Sequence, residues 1–293
     1  MINRFILALT AVLASCAKPP PPPSPGPVTF TIGQPYQAGG EWQYPHDYNS
    51  YDATGLSTVI DPAQAAPYTA DNEHFDPNAL AAASPVLQLP CVVTVTNLVN
   101  GNSVDVRVND RGPNIPGRII AVTPRVAQLL NYPGGGVVEV EVKLNQALSM
   151  QLASAFGDGP KLTAAPVANI TAQSLAPPGG AGAGAGAGST QQLGPAAAQA
   201  ASSQDVTLSG IVTPGQPAPG PLYVQIPGFG SENDAFTAME KVPTMPARVV
   251  QVPGDDRPYW AVNIGPYHSV QDADQALQQV LQAGIVDPEI ILR

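Results

Sequence analysis

From residue 145 to about residue 220 the chain has no hydrophobic period: Ala, Gly, Pro, Ser and Gln fill it, including GGAGAGAGAG from Gly179 to Gly188. Such a stretch has too few large apolar side chains to offset its ordering entropy, which predicts a disordered linker at 146–220. The linker splits the 293 residues into two candidate folded blocks. The 34 Pro and 28 Gly agree with much of the chain lying outside regular structure.

The N-terminus is of another kind. MINRFILALTAVLASC carries a positive charge at Arg4, an apolar run from Phe5 to Leu13 and then small residues, the pattern of a secretory signal too short to span a bilayer. Leu13-Ala14-Ser15-Cys16 resembles the lipobox of bacterial lipoproteins, which implies a signal peptide at 1–15 and an acylated Cys16. Several acyl chains on one cysteine hold a protein on a membrane, because each buried methylene adds roughly 0.8 kcal/mol. Ala17 after Cys16 is permissive for export to the outer membrane. AKPPPPPSPGP follows as a polyproline II spacer, and residues 16–50 as a whole are expected to be spacer and irregular lead-in.

With Cys16 acylated, Cys91 is the last thiol, and no internal disulfide is expected. Cys91 opens an apolar strand, which suits a buried, inert side chain. His46, His74 and His268 are scattered, so neither a Cys/His pair nor a metal site is expected, and no cofactor motif occurs. His74 is expected at the surface. A formal charge of -10 disfavours nucleic acid as a partner.

Residues 51–145 read as a compact β domain. Val92 to Leu98 and Ser103 to Asn109 are two strands joined by a tight hairpin with the Asn100-Gly101 signal. In the second, Val104, Val106 and Val108 face one side, and Asp105, Arg107 and Asn109 the other. GRIIAV is a short strand from Gly117, Pro124 to Leu130 a helix with Pro at its first position, and VVEVEVKL a closing strand from Val137. Short strands with one small helix predict a small closed barrel, since closure removes unpaired edges.

Residues 221–293 read as βαββαβ: LYVQI, a helix capped by Ser231, ARVVQV, YWAVNI, a helix from Gln271 to Ala283, and EIIL. This order predicts two helices on one face of an antiparallel sheet, with the other face free to bind. Alternation puts Trp260, Val262 and Ile264 on the core side. Tyr223, Gln225, Tyr259 and Asn263 are left as candidate ligand-binding residues.

These residues carry a resemblance. TADNEHFDPNALAAA (Thr69 to Ala83), LPCVVTVTNLVNGNSVDVRVNDRGP (Leu89 to Pro113) and GRII (Gly117 to Ile120) resemble the double-psi β-barrel of the rare lipoprotein A family, septal peptidoglycan lytic transglycosylases. YVQIPGF (Tyr223 to Phe229) and AVNIGPY (Ala261 to Tyr267) resemble a SPOR domain, a glycan-binding module. The resemblance implies endolytic cleavage of the MurNAc-GlcNAc bond in peptide-free strands during division and wall remodelling, with a 1,6-anhydro product. It also implies a lipid-anchored envelope protein facing the periplasm, with septal division proteins as possible partners. Asp110 in VNDRGP matches the family's catalytic aspartate and Glu73 its functional glutamate, while Arg111 beside them is a candidate sugar ligand.

Three positions depart from the family. Ser84 stands where the family has its site histidine, Ser57-Thr58-Val59-Ile60-Asp61 lacks a Trp-Tyr pair, and Ala121 replaces an aspartate. A serine supplies a hydrogen bond but no charge. The departures leave a second reading open, a wall-binding septal lipoprotein that has lost the reaction. The local pattern alone explains Asp110 as a turn residue.

Overall fold

The computed structural model describes residues 26–134, 136–156, 206–254 and 257–293. The signal segment, Cys16, the proline run and the centre of the expected linker lie outside the described residues. The lead-in is not wholly irregular. Tyr36–Ala38 (β1) and Glu41–Gln43 (β2) pair as a hairpin, because Gly39 and Gly40 both take the positive φ that a tight turn requires.

The next block is a closed six-stranded barrel. Its strands are β3 (Asp52–Val59), β4 (Ala81–Ala83), β5 (Cys91–Asn97), β6 (Ser103–Asp110), β7 (Arg118–Val122) and β8 (Val138–Leu144), arranged around the barrel as β3-β7-β4-β6-β5-β8. The pairs β3–β7 and β4–β6 run parallel and the others antiparallel, as in a double-psi barrel. Val104, Val106 and Val108 of β6 are buried, as are Val138, Val140 and Val142 of β8, where alternation puts them. Each contributes roughly 1.5 kcal/mol or more by leaving water. Cys91 is buried too, and burial pushes its thiol up to about 12. Helix α1 (Pro124–Leu129) has Pro in its first turn.

The structure differs from the expected linker at both ends. Gln146–Ala155 form helix α2, whose Asn145 cap accepts a hydrogen bond from Leu148 N. Ser149 Oγ accepts from Val92 N at 2.9 Å and donates to Val92 O at 3.1 Å, which fastens the helix to β5. Its Ala, Leu, Met and Gln residues are helix formers. At the other end, residues 206–220 run along the barrel as a strap. Thr213 and Ser103 exchange backbone hydrogen bonds of 2.9 Å, and Ala218 N donates to Leu98 O at 2.8 Å.

The C-terminal block contains β9 (Leu222–Phe229), α3 (Glu232–Met239), β10 (Ala247–Val252), β11 (Tyr259–Tyr267), α4 (Val270–Gln282) and β12 (Glu289–Leu292). The sheet order is β10-β11-β9-β12, antiparallel throughout. Ser231 and Ser269 cap the two helices by accepting from Asp234 N and Asp272 N. Ala235, Ala273, Leu277 and Val280 pack with Val224, Ile226, Val262 and Ile264, so both helices cover one face. Trp260 packs against this cluster from its rim.

This block is docked on the barrel. Arg118 Nη1 and Nη2 donate to Asp274 Oδ1 and Oδ2, both at 2.8 Å, with the arginine side chain only 6% exposed. Thr54 Oγ1 donates to Leu292 O at 3.3 Å. Barrel residues Leu56 and Leu98 belong to the C-terminal core cluster, and Val137 packs on it. Gly117, with φ +72, lets the surfaces close: a Cβ there would stand 2.7 Å from Leu277 and 2.9 Å from Ile290.

Candidate active site

β6 ends at Asp110, and the short strand β4 lies parallel to that end. A register shift between Ala82 and Ala83 brings Ala83 opposite Asp110, and Ser84 N donates to Asp110 O at 3.0 Å. The carboxyl of Asp110 then points into a cavity of about 230 Å³ that it shares with Glu73, His74, Arg107, Asn109 and Thr123. Ile60, Phe75, Leu80, Val206 and Leu208 supply apolar walls. The last two belong to the strap, so the segment that joins the domains forms one side of the groove.

Asp110 Oδ1 accepts from Arg111 N at 2.8 Å and Ala70 N at 2.9 Å. Among the described residues no hydrogen bond engages Oδ2. Burial raises the pKa of the carboxyl, and this outweighs the two N–H donors and the Arg111 charge, which act the other way. One oxygen is therefore fixed by backbone, and the other can hold and transfer a proton.

Glu73 is held from β6. Asn109 Nδ2 donates to Glu73 Oε2 at 2.7 Å, and Arg107 forms an ion pair with Oε1. The Phe156 ring, just past α2, lies 5.4 Å from the Arg107 guanidinium carbon, so the helix supports the site's cation from behind.

Asp71 lies in the same loop as Glu73 but is fully buried. Burial raises its pKa to about 6 from the ordinary 3.8, with the Glu73 charge adding to the shift while Thr69, the Glu73 N–H and Arg107 oppose it. The folded state thus holds this proton more tightly than the unfolded chain does. The Asp71 contribution to stability is intact below pH about 4 and declines until about pH 6. Asp71→Asn, which mimics the neutral acid, is expected to match the native protein below pH 4. At pH 7 it should be more stable by up to about 3 kcal/mol, measured by urea unfolding.

The sequence-predicted residues fall into three groups. Asp110 and Glu73 meet in the groove, and His74, expected at the surface, is exposed on its wall, its ring edge-on to Tyr68 at 5.8 Å. Arg111 and Ser84 are turned elsewhere. The Arg111 guanidinium donates to the backbone carbonyls of Ser84, Leu87 and Ile32, so it clamps the lead-in and the loop after β4 instead of facing a ligand. The Ser84 hydroxyl is buried and accepts from Val86 N and Leu87 N, both at 3.4 Å. The third group lies in the C-terminal sheet. Tyr223, Gln225 and Asn263 are buried on the face away from the helices, Tyr259 is half-buried, and Gln225 Nε2 donates to Asn263 Oδ1 at 2.7 Å.

Sequence reasoning passed over Arg107, Asn109, Asp71 and Phe156. For the first two a partial signal was present, since alternation along β6 puts them together on the polar face opposite Val104, Val106 and Val108. Asp71 and Phe156 gave none, because their roles depend on the fold of a loop and on a helix end.

Residues 54–142 match a double-psi barrel family described as lytic transglycolase, and residues 218–291 match the SPOR domain. The chain thus combines a barrel of the lytic transglycosylase class with a SPOR domain. Relatives to which the chain is similar carry the name RlpA. The chain is similar to the endolytic peptidoglycan transglycosylase RlpA of Yersinia pestis, 37% identical over 116 residues, or 39% of this chain and 32% of the relative. The protein of that name from Escherichia coli strain K12 is 33% identical over 153 residues, 52% of this chain and 41% of the relative. The one from Rickettsia felis is 34% identical over 117 residues, 39% of this chain and 51% of the relative. The matched region spans about a third to a half of the length of these relatives.

Proposed function

We propose that the barrel is an endolytic peptidoglycan lytic transglycosylase that cleaves MurNAc-GlcNAc bonds in peptide-free glycan strands. The observation that carries this reading is the meeting of Asp110 and Glu73 in one groove, with Asp110 raised in pKa and its Oδ2 open. Protonated Asp110 gives its proton to the glycosidic oxygen as the bond to the anomeric carbon breaks. The resulting carboxylate then takes the proton of the C6 hydroxyl, whose oxygen closes onto the anomeric carbon. One carboxyl serves both steps and no water enters, unlike the two-carboxylate arrangement of ordinary glycosidases. Glu73, held by Asn109 and Arg107, supplies negative charge beside the developing oxocarbenium ion.

The SPOR domain supplies glycan affinity; of the four residues expected to bind it, only Tyr259 is open to a ligand, because Tyr223, Gln225 and Asn263 are buried and Gln225 is bonded to Asn263. A signal peptide and acylated Cys16 put the protein on an envelope membrane facing the periplasm, with division and wall remodelling as its setting. Mass spectrometry of sugars released from denuded strands tests the reading. Anhydro-terminated oligosaccharides are expected, and a protein that binds the strands but releases none would overturn it. That second outcome is the alternative reading, a wall binder without lysis. It is favoured by one observation: Asp110 Oδ1 also caps its own turn through Arg111 N.

A further inference from the structure

Unlike Glu73, Asp71 does not line the groove, yet it organises the loop that forms one of its walls. Its Oδ1 accepts from Thr69 Oγ1 at 2.7 Å and from Glu73 N at 3.1 Å. Its Oδ2 is buried with no hydrogen-bond partner among the described residues. The loop closes around this carboxyl through Thr69 N to Glu73 O at 2.9 Å and Asn72 N to Thr69 O at 3.0 Å. Asn72 takes a φ of 74°, a conformation that asparagine tolerates better than most residues. The outer side of the loop is aimed at β6: Asp71 N donates to Asn109 O at 3.3 Å, and Ala70 N donates to Asp110 Oδ1 at 2.9 Å.

We propose that Asp71 is a positioning residue for the transglycosylase reaction. Its carboxyl is the internal peg on which the Thr69–Glu73 loop is wound, and that winding directs the Ala70 N–H to Asp110 and the Glu73 carboxylate to Asn109 and Arg107. The proposal rests on the reading of the groove given above. A buried, half-satisfied carboxyl is costly to keep. Without the peg, the turn would rest on backbone bonds, on the Thr69 hydroxyl donating to Glu73 O at 3.1 Å and on an asparagine in the left-handed region, with no side chain filling its centre.

The test uses the full chain with two substitutions. Asp71→Ala removes the peg and is expected to lower kcat on denuded strands by about 10-fold to 100-fold, as misplacement of reacting groups does, with KM within about twofold. Asp71→Asn keeps an oxygen for Thr69 Oγ1 and Glu73 N and is expected to restore most of the rate. The amide resonances of Ala70 and Glu73 in labelled protein are expected to move in the alanine variant and return in the asparagine variant. A fully active alanine variant, a loss with both amides unmoved, or an asparagine variant as slow as alanine would each overturn the proposal. A native protein that releases no anhydro sugar would instead remove the functional reading. The two amides would then judge the peg by themselves, and amides unmoved in Asp71→Ala would overturn it.

Discussion

Asp110→Asn is expected to lower the release of anhydro sugars by a factor of about 10³, while the protein stays folded and still binds denuded strands. The amide oxygen replaces Oδ1 as acceptor for Arg111 N and Ala70 N, so the turn after β6 is preserved. Only the proton is lost. Mass spectrometry of the products beside a strand-binding assay separates the two effects, and a variant as fast as the native protein would show that Asp110 is a turn residue alone. The pH dependence has a definite sign. Burial raises the Asp110 pKa, so the acid form persists to higher pH than in an ordinary aspartate. The rate falls as pH rises through that raised value, and Asp110→Asn lacks this limb.

Gly117→Val is expected to separate the two domains. Its φ of +72 lies where a β-branched residue is strained, and the added Cβ would overlap Leu277 and Ile290 at 2.7 and 2.9 Å. Strain and overpacking together cost about 3 kcal/mol. The Arg118 and Asp274 pair then loses its burial and most of its value, because such a pair in water contributes about 0–1 kcal/mol. Small-angle scattering is expected to show a larger radius of gyration than for the native chain, with the barrel and sheet still folded by circular dichroism. An unchanged scattering curve would mean that the docking does not depend on this glycine. Asp274→Ala leaves the Arg118 charge buried without its partner and is expected to act in the same direction.

Strand periodicity made most of the fold legible. In β6 and β8 the valines alternate with polar residues, and burial follows that pattern residue by residue. The two parallel pairings were not legible, since register between strands far apart in sequence leaves no local mark. Helix α2 was hidden for another reason: an alanine-rich segment looks the same whether it is a helix on a barrel or a linker, and only its contact with Val92 decides. At the site, Asp110 and Glu73 were legible through resemblance to a family. The role of Arg111 was not, because the three carbonyls it clamps come from Ile32, Ser84 and Leu87. Nor did the sequence indicate that Ser84 would turn its hydroxyl into its own loop, or that Val206 and Leu208 would reach the groove.

The shared core has a bearing on how such chains are assembled. Leu56 and Leu98 of the barrel are buried by the SPOR domain, so a barrel cut free after α2 would present those leucines and Val137 to water as an adhesive patch. Modules joined by a loose tether can be exchanged between genes like beads on a string. Here a newly acquired partner would have to cover two leucines, accept the Arg118 fork and leave room above a glycine, so barrel and module must be inherited as a fitted pair.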